Sequence, residues 1–143
     1  MRKKKYKIVI DTNVFISALK SRKGASFKLL FDVPRRKYEQ NISSTLIFEY
    51  ESVAKRESGN ISMSDSQIDA ILDMICKIST KCEIFFLWRP YLKDPKDDFI
   101  LELAIESHSE IIVTYNKDDF IGVDKFGIKV LTPKEFLKKI GEI

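Results

Sequence analysis

Acids at four separated points mark where this chain could do chemistry. Asp11 ends the apolar run IVI in IVIDTNVFIS, residues 8–17. Glu49 lies in ISSTLIFEYE, Asp97 and Asp98 open DDFILELA, and Asp118 and Asp119 follow EIIVTYN. Each has an ordinary use when taken alone. Asp11 or Asn13 could cap a helix, Asp97 and Asp98 would suit a helix dipole, Glu49 could be an exposed helical residue, and Asp119 could belong to a turn. Brought together, the same acids behave differently. Two unit charges about 4 Å apart repel by about 4 kcal/mol at an effective dielectric of about 20, so some must take up protons or share a cation. A hard divalent ion such as Mg²⁺ or Mn²⁺ takes oxygen ligands, needs only one or two carboxylates, and can activate water on a phosphodiester.

Other chemistries lack their signatures. The chain has no P-loop, no GxGxxG, no HExxH and no GxSxG. Its single histidine, His108, closes a predicted helix, where a surface C-terminal role suits it. Cys76 and Cys82 form neither a CxxC motif nor a disulfide framework, and Cys76 is expected as a reduced, packed thiol among Ile68, Ile71, Leu72 and Ile75.

The elements that must position the acids alternate between strand and helix. YKIVI (6–10), YEQNIS (38–43), EIFFLW (83–88), EIIVTYN (110–116) and IKVL (128–131) read as strands. Helices are expected through VFISALK, ASFKLLFDV, roughly 44–57, the stretch after Ser64, DFILELAIESH and the C-terminal segment, with a turn at 58–62. Ser64 with Gln67, and Thr132 with Pro133 and Glu135, form helix-starting boxes. Ile68, Ile71, Leu72 and Ile75 recur at helical spacing, as a core stripe or a docking face. Five strands separated by helices predict one α/β domain over residues 1–143, with a mostly parallel sheet covered on both faces. In such a sheet functional groups gather beyond the carboxyl ends of the strands. Asp11 follows the first strand, Thr114 and Asn116 sit at the carboxyl end of EIIVTYN, and Asp118 and Asp119 lie in the loop after it. Asp97, Asp98 and Glu49 start, or lie early in, helices that leave that edge.

Composition sets the class. At 143 residues, 44% hydrophobic and 32% charged, the chain suits a soluble domain with a real core. No apolar run of about 18 residues is present to span a membrane. The basic-then-apolar start, MRKKKYKIVIDTNVF, is broken by Asp11 and lacks a small-residue cleavage site, so a cytoplasmic protein is expected. The formal charge of +4 is concentrated in Arg2 to Lys5, Lys20 to Lys23 and Arg35 to Lys37, which favours an anionic partner.

With IVIDTNVFISAL, ISSTLIFEYESVAKR and DPKDDFILELAIESHSEIIVTYNKDDF in this order, the chain resembles a PIN domain, in particular the VapC-like toxins of toxin–antitoxin systems. The resemblance implies a three-layer α/β/α sandwich and a metal-dependent ribonuclease acting on single-stranded RNA, leaving a 5′-phosphate and a 3′-hydroxyl. Carried onto this sequence, it implies Asp11, Glu49, Asp98 and Asp119 as catalytic and metal-holding acids, with Mg²⁺ or Mn²⁺ as cofactor. Thr12, Asn13, Ser43, Asp97, Thr114, Asn116 and Asp118 would support them, Asp97 being adjacent to Asp98 and easily mistaken for it. The departure is Asn116, an amide where the family commonly carries an acid, and it admits the alternative of a weak or inactive RNA- or protein-binding module. Arg22, Lys23, Arg35 and Arg36 are the expected RNA contacts. An antitoxin protein and a homodimer are the expected protein partners.

Overall fold

The computed structural model describes residues 5–143, so Arg2, Lys3 and Lys4 of the first basic cluster lie outside the described residues. β1 (Tyr6–Ile10), β2 (Tyr38–Ile42), β3 (Thr80–Lys81), β4 (Ile111–Val113) and β5 (Lys129–Leu131) form one sheet in the order β3-β2-β1-β4-β5. Every pairing is parallel: Tyr6 lies against Tyr38, Ile8 against Ile111, Asn41 against Thr80, and Val113 against Leu131. Ile8, Val9 and Ile10 of β1 and Ile111, Ile112 and Val113 of β4 are all buried. Consecutive burial, in place of alternation, is what a strand covered on both faces requires.

Among the described residues seven α-helices complete the α/β/α sandwich. They are α1 (Thr12–Lys20), α2 (Ala25–Phe27, continued by a π-helical turn at Lys28–Asp32), α3 (Ser44–Arg56), α4 (Ser58–Ile61), α5 (Asp65–Ile78), α6 (Asp98–Glu106) and α7 (Pro133–Lys139). None is long and apolar enough to cross a membrane. Both expected capping boxes are present, Ser64 with Gln67 on α5 and Thr132 with Glu135 on α7, the latter with Pro133 in the first turn. Ile68, Leu72 and Ile75 enter the core, and Ile71 packs against it, so the α5 stripe is internal. α1 packs on α3, and α3 on α5.

Three expectations are corrected. Residues 83–88 are not a strand: the ladder beside β2 ends where Cys82 N–H donates to Ile42 O at 2.8 Å, and β2 then passes into the start of α3. Phe85, Phe86 and Leu87 are exposed, because a short apolar run carries no period that separates a buried strand from a surface segment. The turn at 58–62 contains α4, ended by Ser62 in the left-handed region. Cys76 is an exposed free thiol on the outer face of α5, and Cys82 is free and half-buried.

The strand order places the switch point between β1 and β4. From β1 the chain passes to the β2 side; from β4 it passes to the β5 side. The connections diverge there and leave a crevice at the carboxyl ends of the two strands.

Candidate active site

Asp11 occupies that crevice. It follows β1 directly, and its N–H still donates to Val113 O at 2.9 Å, so the backbone is held by β4 up to the point where α1 begins. The side chain caps α1: Thr12 N–H donates to Oδ1 at 2.8 Å. Oδ2 accepts from the Thr114 hydroxyl at 2.8 Å and from Asn13 Nδ2 at 3.3 Å. Asn13 Oδ1 in turn accepts from Tyr115 N–H at 3.2 Å, and Thr114 Oγ1 from Asn116 N–H at 3.0 Å. This network stitches the ends of β1 and β4 together and fixes the Asp11 carboxylate in one orientation. Tyr50 lies beneath it, stacked on Phe15 at 4.4 Å, with its hydroxyl donating to Ile10 O.

An open cleft of about 530 Å³ extends from Asp11 along the groove between α1 and α3. Thr12, Asn13, Glu49, Asn116 and Asp119 all line it. Asp97 lines it too. This residue ends the 3-10 turn Pro95–Asp97 and makes no side-chain capping bond to α6. Burial raises the Asp97 carboxyl to about 6, helped by the charges of Asp11, Asp119, Asp94 and Asp98. Asp11 is also raised, chiefly by burial; its bonds from Thr114 and Thr12 pull the other way, while Asp119 and Glu49 add to the rise. The acids from four segments therefore share one space and feel one another's charge.

Asp98 is not in that space, which reverses the expected order of the pair. Its side chain is 0% exposed, and Oδ1 accepts from Leu92 N–H at 2.9 Å, tying the 88–94 segment to the first turn of α6. Its Oδ2 is buried without a partner among the described residues. One turn on, buried Glu102 accepts from Trp88 N–H at 3.0 Å and receives the Arg89 fork at 2.9 Å on each oxygen. Ser43 is buried and does not line the cleft; it caps α3 through Leu46 N–H at 3.1 Å and so sets the start of the helix that carries Glu49. Asp118 is exposed and does not line the cleft as Asp119 does; their shared 3-10 turn is anchored by buried Phe120.

The expected RNA contacts are also redistributed. Arg35 is held internally by Tyr38 Oη, by Gln40 Oε1 at 3.1 Å and by Leu30 O at 2.8 Å. Arg35 and Arg36 precede β2, which puts them at the amino edge of a parallel sheet, opposite the cleft. Arg22 lines a neighbouring groove with Phe27, Phe31 and Ile71, and Lys23 is exposed beyond α1. Among the described residues the basic side chains at the cleft are Lys20 and Lys96 instead, and Glu57 and Asp94 are further acids there. Glu57 could have been read from its spacing, since Glu49, Val53 and Glu57 recur every four residues along one side of α3 and its C-cap. Asp94 and Lys96 carry no such signal.

The donor set suits a hard cation: carboxylate, amide and hydroxyl oxygens, with no thiol or imidazole among them. Among the described residues no three acids, cysteines or histidines stand close enough to form a finished cage. These oxygen donors would suit a hydrated hard divalent ion better than a caged one.

The five-stranded, all-parallel sandwich with an acidic crevice at its switch point is consistent with the PIN folds, which are typically nuclease folds and generally metal-dependent. The chain is a member of the PIN domain family, whose model matches residues 7–118. It is similar over almost its whole length to a protein of Methanocaldococcus jannaschii that bears the name Uncharacterized protein MJ1680. The two are 29% identical over 152 residues, covering 97% of this chain and 94% of the relative.

Proposed function

We propose that this chain is an Mg²⁺- or Mn²⁺-dependent endoribonuclease that hydrolyses single-stranded RNA. The observation that supports this most directly is the convergence of Asp11, Glu49, Asp97 and Asp119 on one cleft, with Asp11 and Asp97 both raised by burial and by the charges of neighbouring acids. Asp11 and Asp97 would hold the ion, with Glu49 and Asp119 bonding its waters. When bound, the ion neutralises these acids and supplies Lewis-acid activation of water and of the scissile phosphate. Thr114 and Asn13 keep the Asp11 oxygens aimed, as the outer partners of a metal-binding carboxylate do. Asp98 supports Asp97 by fixing the segment before it.

By resemblance the chain would act in the cytoplasm as the toxin of a type II toxin–antitoxin pair, as a homodimer neutralised by a cognate antitoxin protein. The test is incubation of the purified protein with labelled RNA and single-stranded DNA in Mg²⁺, Mn²⁺ or EDTA. Metal-dependent RNA cleavage, lost in Asp11→Asn with the fold intact, is the expected result; retained cleavage in that variant refutes the assignment. Asn116, an amide lining the cleft, favours a second reading in which the module binds RNA without cutting. Calorimetry with Mn²⁺ separates the two, because a spent site should bind the ion poorly.

A further inference from the structure

A cleft crowded with carboxylates must still admit a polyanion, so cations have to meet the phosphates that the metal does not. Lys20 is the basic residue in the last turn of α1, a helix of nine residues that starts at the Asp11 cap. At 1.5 Å per residue it lies about 13 Å along the groove from the acids. Glu57 follows the C-terminus of α3, at the end of the stripe that begins with Glu49. The two side chains meet across the cleft, Lys20 Nζ to Glu57 Oε1 at 2.8 Å, with 42% and 31% of their surfaces exposed. An ion pair this exposed adds little to stability. A phosphate offers the same ammonium a charge and several acceptor oxygens, so it can replace the carboxylate.

We propose that Lys20 is a phosphate-binding residue held in position by Glu57, and that a backbone phosphate of the incoming strand displaces Glu57 from it. The inference rests on the nuclease reading of the same cleft and adds a second contact, one helix length from the acids. The strand lies in the groove between α1 and α3. Its scissile phosphate is at the Asp11 end, and another phosphate of the same strand is on Lys20.

The test uses single-stranded RNA oligonucleotides, each carrying one uncharged methylphosphonate at a different position. Affinity is read by fluorescence anisotropy in EDTA, and kcat and KM are read in Mn²⁺, for the wild type, Lys20→Gln and Glu57→Gln. Lys55→Gln is the control, because its partners Glu51 and Asp69 lie outside the cleft. Lys20→Gln should raise Kd and KM about three- to tenfold with little change in kcat, and should lower the slope of log affinity against log salt by about 0.7. Glu57→Gln should tighten binding. One methylphosphonate position should weaken the wild type and leave Lys20→Gln unaffected. Lys20→Gln behaving like the Lys55 control, or Glu57→Gln weakening binding as Lys20→Gln does, overturns the proposal. Wild type that binds in this pattern but hydrolyses nothing leaves Lys20 in place and removes the nuclease reading. Hydrolysis abolished by Asp11→Asn but indifferent to Lys20 does the reverse. No binding by the wild type overturns both.

Discussion

Asp97 and Asp98 are neighbours in sequence, and their substitution should move stability in opposite directions. The Asp97 carboxyl is raised from 3.8 to about 6. A folded-state value above the unfolded one means that the folded chain holds the proton more tightly. Stability from this group is therefore full below pH about 4 and is lost as pH rises through about 6. Two units correspond to about 3 kcal/mol for a sheltered group. Asp97 is partly exposed, and solvent screening brings this to about 1 kcal/mol. Asp97→Asn should thus gain about 1 kcal/mol at neutral pH, or about 3 °C in Tm for a domain of this size, and gain nothing in acid. Asp98→Ala should lose about 1 to 3 kcal/mol, because Leu92 N–H is left buried without an acceptor. The assay is thermal unfolding followed by circular dichroism in acid and at neutral pH, with Mn²⁺ or EDTA, alongside cleavage of labelled RNA. Mn²⁺ should raise the Tm of the wild type but not that of Asp97→Asn, since only a folded site that binds the ion is stabilised by it. The reasoning fails if Asp97→Asn is destabilised at neutral pH. It also fails if Mn²⁺ still stabilises Asp97→Asn but no longer stabilises Asp98→Asn.

Three further outcomes follow from the geometry. Thr114→Val removes the hydroxyl that orients Asp11 and leaves Asn116 N–H without its acceptor. Mn²⁺ affinity, measured by calorimetry, should fall about 10- to 100-fold, with a loss of about 1 to 3 kcal/mol in urea unfolding. At sub-saturating metal, kcat/KM should climb as pH passes about 6 and then level, because Asp97 must ionise to serve; a flat profile down to about pH 5 counts against its role. Arg89→Ala removes the fork from Glu102, whose side chain is 1% exposed, and should cost about 1 to 2 kcal/mol of unfolding free energy, since Arg89 is half exposed and Trp88 N–H still donates to Glu102; an unchanged urea midpoint would show the pair to be dispensable.

Much of this protein is legible along the chain. The unbroken apolar runs of β1 and β4 announce strands covered on both faces, and the boxes at Ser64 and Thr132 announce where α5 and α7 begin. Strand and helix alternation implies a parallel sheet, and a parallel sheet sends Asp11, Glu49, the Asp97–Asp98 pair and Asp119 toward one edge. All of that rests on local spacing and chain direction. What a single residue faces does not. Asp97 and Asp98 differ by about 100° of helical rotation. The choice between them is made by Ile100, Leu101, Leu103 and Ala104, which turn α6 into the core, and by Leu92 N–H, which takes the Asp98 carboxylate. The same holds for residues 83–88, left outside the ladder when β2 ends at Ile42, and for Lys20, which meets Glu57 only because α1 and α3 pack side by side. Spacing along a chain encodes what each segment buries, while the rotation and offset between segments come from how all the buried faces fill one core together. That joint packing, beyond the reach of any one segment, decides which acids look at one another.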